Sequence, residues 1–337
     1  MRTVSPAHHV PLTLRRLAAT STILLFLLAA ACIASAAFGS VAIPLDDVLG
    51  ALVNSDAVSQ TTKTIVLDIR LPRILYAVVV GVGLSVAGLV LQALLRNPLA
   101  EPYILGISSG GTLGTVVAMA FSLGPWLTPL ASFVGSGAVM LLVYFTAHRR
   151  GQLDTYTLLL AGVMIGAFFN AAVLLAVSLF NEELRNAFLW LMGNLSGAGT
   201  GSLAIVGPIV LGTSLALGLR AKSYNLIATG EEAAIQLGVD VAALKRLSYV
   251  AASLITGVVV SVSGVVGFVG LVIPHICRLL FGPDHRLLFP ASAICGAIFL
   301  VGADLLARLV IAPAEIPVGA VTAVLGAPLF VYLLRNR

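Results

Sequence analysis

Asp304, Glu315 and His275 stand in or beside apolar stretches of the chain, where a charged side chain costs about 3 kcal/mol unless it is paired or put to use. Two carboxylates and an imidazole are the groups of a proton or cation relay, so a secondary transporter driven by protons or sodium is one reading of them. Packing or hinge roles are the other. Arg70, Arg73 and Arg308 add planar donors that pair bidentately with carboxylates. Arg70 and Arg73 are three residues apart, on one face if helical, and Arg308 follows Asp304 by four. They can dock an acidic partner or anchor helix ends at the membrane interface; Arg308 can also pair with Asp304 in its own helix. A further constellation is Gly230-Glu231-Glu232-Ala233-Ala234-Ile235-Gln236-Leu237-Gly238. The glycines can stop and start elements, and the acids favour a first helical turn. Ala233, Ile235 and Leu237 give the segment an apolar side too short to span anything, a surface suited to a groove on another protein.

Several chemistries are missing. Cys32, Cys277 and Cys295 show no CxxC spacing, and the five histidines form no HExxH or other ligand cluster, so no metal site and no redox centre is expected. No GxxxxGK[ST] occurs; the only lysines are Lys63, Lys222 and Lys245, and none follows a glycine. The chain has no loop with which to hydrolyse ATP itself. No nucleophile, base and orienting group recur together, so an enzyme is not expected.

The elements that must position these groups follow from composition. Of 337 residues, 59% are apolar and 10% charged, with mean hydropathy +1.07. A soluble domain carries about 25% charge, and disorder needs low hydrophobicity, so the chain belongs in a bilayer. Backbone groups in lipid must bond internally, in helices or a closed barrel. Runs such as Thr22 to Phe38 are continuously apolar rather than alternating, which excludes the barrel. An all-α polytopic membrane protein follows, each helix taking about 20 residues. Apolar segments at about 17–38, 74–95, 104–123, 126–146, 158–180, 203–219, 247–266, 268–280, 287–311 and 316–334 give ten spans. The first, 22 residues after Arg15 and Arg16, is longer than a signal-peptide core. It is read as an uncleaved helix behind a cytoplasmic tail over 1–16, despite the cleavage-like Ala34-Ser35-Ala36. The rest, 17–337, forms one ten-helix domain. The eighth span is short and contains Pro274, His275 and Arg278, so it is expected to pair with non-helical backbone shielded by protein.

With the N-terminus inside, 14 of the 19 Lys and Arg fall on the inner side and 5 on the outer, which places both termini in the cytoplasm. A weak inverted repeat accompanies the layout. Ser85-Val86-Ala87-Gly88 with Pro98 recurs as Ser261-Val262-Ser263-Gly264 with Pro274, near helices two and seven and thus in opposite orientation, as in transporters built from related halves. Gly110 with Gly114 and Gly162 with Gly166 offer small faces for close helix packing.

Longer motifs carry a resemblance. Arg70-Leu71-Pro72-Arg73, Arg96-Asn97-Pro98-Leu99-Ala100-Glu101-Pro102, Trp190-Leu191-Met192-Gly193, the 230–238 segment, Gly267-Phe268-Val269-Gly270-Leu271-Val272-Ile273-Pro274-His275 and Pro313-Ala314-Glu315-Ile316-Pro317-Val318-Gly319 run in order from about residue 65 to the C-terminus. They resemble the permease subunits of the type II ABC importers for iron-siderophores, haem and cobalamin. The resemblance implies a pathway formed with a second permease copy or a paralogue, in a bacterial plasma (inner) membrane. It also implies two cytoplasmic ABC ATPase subunits that bind the ATP and Mg²⁺, an extracytoplasmic substrate-binding protein, and no nucleic acid. Gly230, Glu231, Glu232, Ala233, Leu237 and Gly238 then belong to coupling helices, within a coupling segment over 221–246, that sit in the ATPase. Arg70, Arg73 and Arg308 match arginines that face carboxylates on the binding protein. Asn97 and Leu99, with Thr155 and Tyr156, match gates at the cytoplasmic mouth. Pro98 and Pro102 breaking the second helix account for the 97–99 region equally well.

Overall fold

The computed structural model describes residues 13–124, 126–149, 152–179, 192–196 and 200–335. Trp190 and Leu191, and Arg2, Arg150, Arg185 and Arg337 of the charge bias, lie outside the described residues. Helix α1 spans Leu14–Ala37, with Thr13 Oγ1 accepting the Arg16 N–H at its start. A short amphipathic helix α2 follows at Leu45–Leu52, with Asp46 and Asp47 in its first turn, where acids favour the helix dipole. Helix α3 runs from Gln60 to Leu94. Then come α4 (Ile107–Ala120), α5 (Leu127–Ala147), α6 (Thr155–Leu179), α7 (Thr200–Gly218), α8 (Ala221–Thr229), α9 (Glu231–Gln236), α10 (Val241–Ser263), α11 (Val269–Phe281), α12 (His285–Leu309) and α13 (Val318–Arg335). A two-residue antiparallel pairing, His148–Arg149 with Gln152–Leu153, closes the turn between α5 and α6.

Seven of these helices are long and apolar enough to cross a membrane, and α4, α11 and α13 are shorter apolar helices. Together they match the ten expected segments, with boundaries shifted by a few residues. The exception is the second, where helix begins at Gln60 rather than near 74. Its early part, Thr64–Arg70, is a π-helix. The cause lies at Pro72: proline lacks an N–H for the carbonyl four residues back and its ring crowds that carbonyl, so the ladder widens there.

Helix α3 is the pillar of the bundle. Its membrane window is 89% buried, against 6% for α1, and a helix apolar on every side belongs in such a core. Close approach depends on glycine. A Cβ at Gly88 would overlap the Gly270 carbonyl of α11, and one at Gly81 would meet the Gly296 backbone of α12. Gly110 and Gly114 of α4 pack likewise on Gly135 and Ala131 of α5, and Gly162 of α6 on Leu105, so both small-residue pairs serve core packing.

Thirteen residues make α11, about 20 Å at 1.5 Å per residue and too short to cross. Backbone at 264–268 covers the difference, and half-buried side chains bond two of its N–H groups. Tyr103 Oη accepts the Val266 N–H at 3.1 Å, and Glu101 Oε1 accepts the Phe268 N–H at 2.8 Å. Gln92 of α3, almost fully buried, donates to the Gly270 and Leu271 carbonyls and accepts from Arg278 Nη1.

The helix pairings repeat between halves. Helix α3 packs on α12 where α10 packs on α5, and the α4–α5–α6 contacts recur among α11, α12 and α13, as two related units predict. The tetrads themselves sit in different local structure: Gly88 is inside α3, whereas Gly264 ends α10 with φ 66°.

Candidate functional site

The expected functional residues gather at the two ends of the bundle. At one end, Arg70 closes the π-helical turn and Arg73 stands in the first turn of the straight part of α3. Helix α1 ends nearby, its last-turn carbonyls lacking helical partners. Arg70 Nη1 donates to the carbonyls of Ala36 (2.5 Å) and Ala37 (3.1 Å), and Nη2 to that of Val41. Arg308 caps the same helix from α12: it donates to the Phe38 carbonyl (3.2 Å) and, through Nη2, to the Ser35 carbonyl (3.1 Å) and Oγ (2.6 Å). Gly39 fits between the two guanidiniums.

Carboxylates complete this cluster. Asp304, fully buried, accepts Arg73 Nε at 2.8 Å and Arg308 Nε at 3.1 Å. Glu315, on the turn before α13, accepts Arg73 Nη1 at 2.8 and 3.0 Å and the Ser196 hydroxyl at 3.0 Å. Burial raises the Glu315 carboxyl, but the hydrogen bond and charge of Arg73 outweigh it and leave the pKa lowered. The expected trio is thus brought together, and its donors are bonded within the chain. Arg70, Arg73 and Arg308 are 5, 9 and 6% exposed, while the Glu315 side chain is 41% exposed. Three guanidiniums face two carboxylates, so the cluster carries a net charge of +1 under the surface. Asp304 and Glu315 are ion-pair partners here, which is the packing alternative rather than a free relay.

At the other end lie α8 and α9. Gly230 (φ 133°) and Gly238 (φ 82°) frame α9 in conformations that favour glycine. Ala234 faces inward, and Ile235 and Leu237 are exposed, leaving an apolar surface uncovered within this chain. Asp284 N-caps α12, accepting the Arg286 N–H at 3.0 Å, and also accepts the Asn225 amide of α8 at 2.7 Å. The arginine's hydrogen bonds, opposed by partial burial and reinforced by Asn225, hold the Asp284 carboxyl at about 2.

Lys245 escaped the sequence reading as a functional residue. Buried on α10, it donates to Glu231 Oε2 of α9 at 2.7 Å and to Thr155 Oγ1, the first residue of α6, at 3.3 Å. One ammonium thus joins an expected coupling residue to an expected gate residue. No spacing rule finds such a contact, because its partners lie 14 and 90 positions away. Tyr156 is exposed beside it. Asn97 and Leu99 form a local turn in which Asn97 Oδ1 accepts the Leu99 N–H at 2.9 Å. Among the described residues, no hydrogen bond joins that turn to Thr155 or Tyr156.

Among the described residues, no group of three His, Cys, Asp or Glu side chains is placed to hold a metal. The cysteines are free. A polytopic helical bundle with a charged cluster at one end and short helices presented at the other defines a membrane transport protein. The chain belongs to the FecCD transport family, whose model matches residues 27–336. It is 44% identical over 279 residues to the hemin transport system permease protein HmuU of Yersinia pestis, covering 80% of this chain and 83% of that protein. It is 43% identical over 284 residues to the cobalamin import system permease protein BtuC of Halobacterium salinarum, covering 83% and 76%. A solved structure described as an inward-facing transporter of the metal-chelate ABC type superposes with TM-score 0.86 at 29% identity, over 95% of this chain and all of that one. The chain is an ABC-importer permease subunit, and the ion-coupled secondary transporter finds no support among these relatives.

Proposed function

We propose that this permease conducts a bulky haem, corrinoid or ferric-chelate ligand, taking its energy from ATP and Mg²⁺ bound on two separate cytoplasmic ATPase subunits. The Lys245 end faces the cytoplasm, as the distribution of Lys and Arg suggests, and both termini lie on that side. The observation that carries the reading is the Glu231–Lys245–Thr155 bridge. Helix α9 is short, Ile235 and the following Leu237 are exposed, and its acid is fastened through Lys245 to the first turn of α6. Closure of an ATPase pair on α9 then moves the start of α6 directly, so two equilibria are coupled without chemistry in this chain. Thr155 and Tyr156, with Asn97 and Leu99, serve as gate elements on this reading.

The opposite end serves for docking of an extracytoplasmic binding protein. Arg70 neutralises carbonyl dipoles rather than a carboxylate, so the +1 charge remains available to attract an acidic surface at range. Direct contact requires exchange: an incoming carboxylate takes the place of Glu315 on Arg73, Glu315 being the exposed one of the cluster's two carboxylates. The exposed apolar faces of α6 and α13, including Phe168, Leu175, Val324 and Val331, suit contact with a second permease copy or paralogue around the pathway.

Reconstitution with the cognate ATPase and binding protein tests this. Hydrolysis is expected to rise when the binding protein carries one member of a panel of ferric siderophores, haem and cobalamin. Uptake that persists without the ATPase and collapses with the proton gradient overturns the proposal.

A further inference from the structure

A groove of about 690 Å³ opens beside α7 at the Lys245 end of the bundle. Val86, Leu211, Leu215 and Phe289 form its walls, and Lys222 and Arg286 stand at its mouth. The walls continue into the exposed face of α7, where Leu211, Leu215 and Leu219 project outward from an apolar spanning helix. One end of the groove is therefore open to hydrocarbon and the other is cationic.

The polar groups at the mouth are not fully engaged within the chain. Lys222 makes no hydrogen bond or ion pair among the described residues. Arg286 gives Nε and Nη2 to Asp284 at 2.6 to 3.1 Å and leaves Nη1 uncommitted. Two cations against one carboxylate leave the mouth at +1. Higher in the wall, the buried hydroxyl of Ser214 has no hydrogen-bond partner, which is unfavourable in an apolar site unless a ligand supplies one.

We propose that this groove binds an anionic phospholipid, with the phosphate between Lys222 and Arg286 Nη1, ester oxygens toward Ser214 and an acyl chain along Val86 and Phe289. Basic pockets between spanning helices recognise acidic headgroups by this combination of charge and apolar wall. A soluble anion leaves the apolar length uncovered. A second copy of this chain packed through α7 fits worse, because α7 contains no acidic residue to meet Lys222, which would be buried without a partner. The inference requires only that the chain is embedded in a bilayer, so it survives or fails independently of which ligand is imported.

Native mass spectrometry tests it on the full-length protein, delipidated in detergent and offered equal phosphatidylglycerol and phosphatidylcholine with matched chains. The first lipid adduct is expected to favour phosphatidylglycerol by on the order of ten-fold, the selectivity that juxtamembrane cations supply. Lys222→Gln with Arg286→Gln brings the ratio close to one, while Lys222→Arg with Arg286→Lys keeps it. Lys222→Gln alone, which disturbs no internal bond, lowers the ratio several-fold. Equal retention of the two lipids by the unaltered protein overturns the proposal, as does a preference that survives both glutamine substitutions. Displacement of the adduct by glycerol phosphate at equal concentration shows an anion site without a lipid requirement and also overturns it. Efficient disulfide cross-linking of a Leu215→Cys protein in vesicles assigns the groove to a second copy instead.

Discussion

Glu315→Gln separates docking from internal bracing at the arginine cluster. The substitution keeps the size of the side chain and removes its charge, so Arg73 retains Asp304 but loses its second carboxylate. The lost interaction is a doubly bonded ion pair at 2.8 and 3.0 Å. Charge-assisted hydrogen bonds contribute about 1.5–3 kcal/mol, and exposed pairs about 0.2–1 kcal/mol. Glu315 is 41% exposed and Arg73 nearly buried, so about 1–2 kcal/mol is appropriate after allowing for solvent screening. If an incoming carboxylate must displace Glu315, removing that competitor tightens docking by up to the same amount, roughly 5- to 30-fold in Kd. The measurement is titration of the binding protein against the permease–ATPase complex in nanodiscs, with salt held constant, since screening weakens such contacts. Thermal stability is expected to fall at the same time, because Arg73 loses a partner. Unchanged or weaker docking, with only the stability loss, refutes the exchange and leaves the cluster a purely internal brace.

The remaining expectations are more compact. Lys245→Met keeps the apolar stem of the side chain but severs Glu231 from Thr155, so ligand transported per ATP hydrolysed is expected to fall about ten-fold in proteoliposomes, matching a coupling loss of about 1–2 kcal/mol. Gly88→Ala places a methyl group against the Gly270 carbonyl, and overpacking of this kind costs about 1–3 kcal/mol, measurable as a lower unfolding temperature in detergent. Asp284 has a folded pKa of about 2, below the unfolded value of about 3.9. Its stabilisation of the α8–α12 junction is therefore present above about pH 3.9 and is lost as pH falls toward 2. Asp284→Ala removes this cap at neutral pH, for about 1 kcal/mol, and hydrogen exchange in α8 is expected to accelerate.

The spans were legible because lipid demands continuous apolar runs, and each expected segment is occupied by an apolar helix. Helix α3 beginning at Gln60 was not legible, since Lys63, Asp68 and Arg70 look like the end of a span rather than part of a longer buried helix. The arginine trio was found by residue type and motif. The Arg308–Asp304 pair, four residues apart on one helix, was legible too, but the Arg73–Glu315 pair was not, because Glu315 reaches Arg73 across 242 positions and no periodicity relates them. Gln92 and Lys245 were missed for the same reason. A single polar residue on an apolar helix gives a one-letter signal, and only tertiary contact shows whether it binds backbone, as Gln92 does, or joins two moving parts, as Lys245 does.

The depth of α3 has a consequence for how the protein is made. This is the second spanning helix to leave the ribosome, yet it is enclosed largely by α10, α11 and α12, which are synthesised more than a hundred residues later. Until they arrive it must tolerate lipid on every side, which its all-round apolar surface permits. Arg70 can engage the carbonyls at the end of α1 and just beyond it at once, 29 to 34 positions behind it. Arg73 must wait for Asp304, 231 positions ahead, roughly 10–50 s at ordinary rates of synthesis. During that interval Arg73 remains at the membrane surface without its buried carboxylate. The Arg73–Asp304 pair is thus a late closure that links the first half of the chain to the last after both have been inserted.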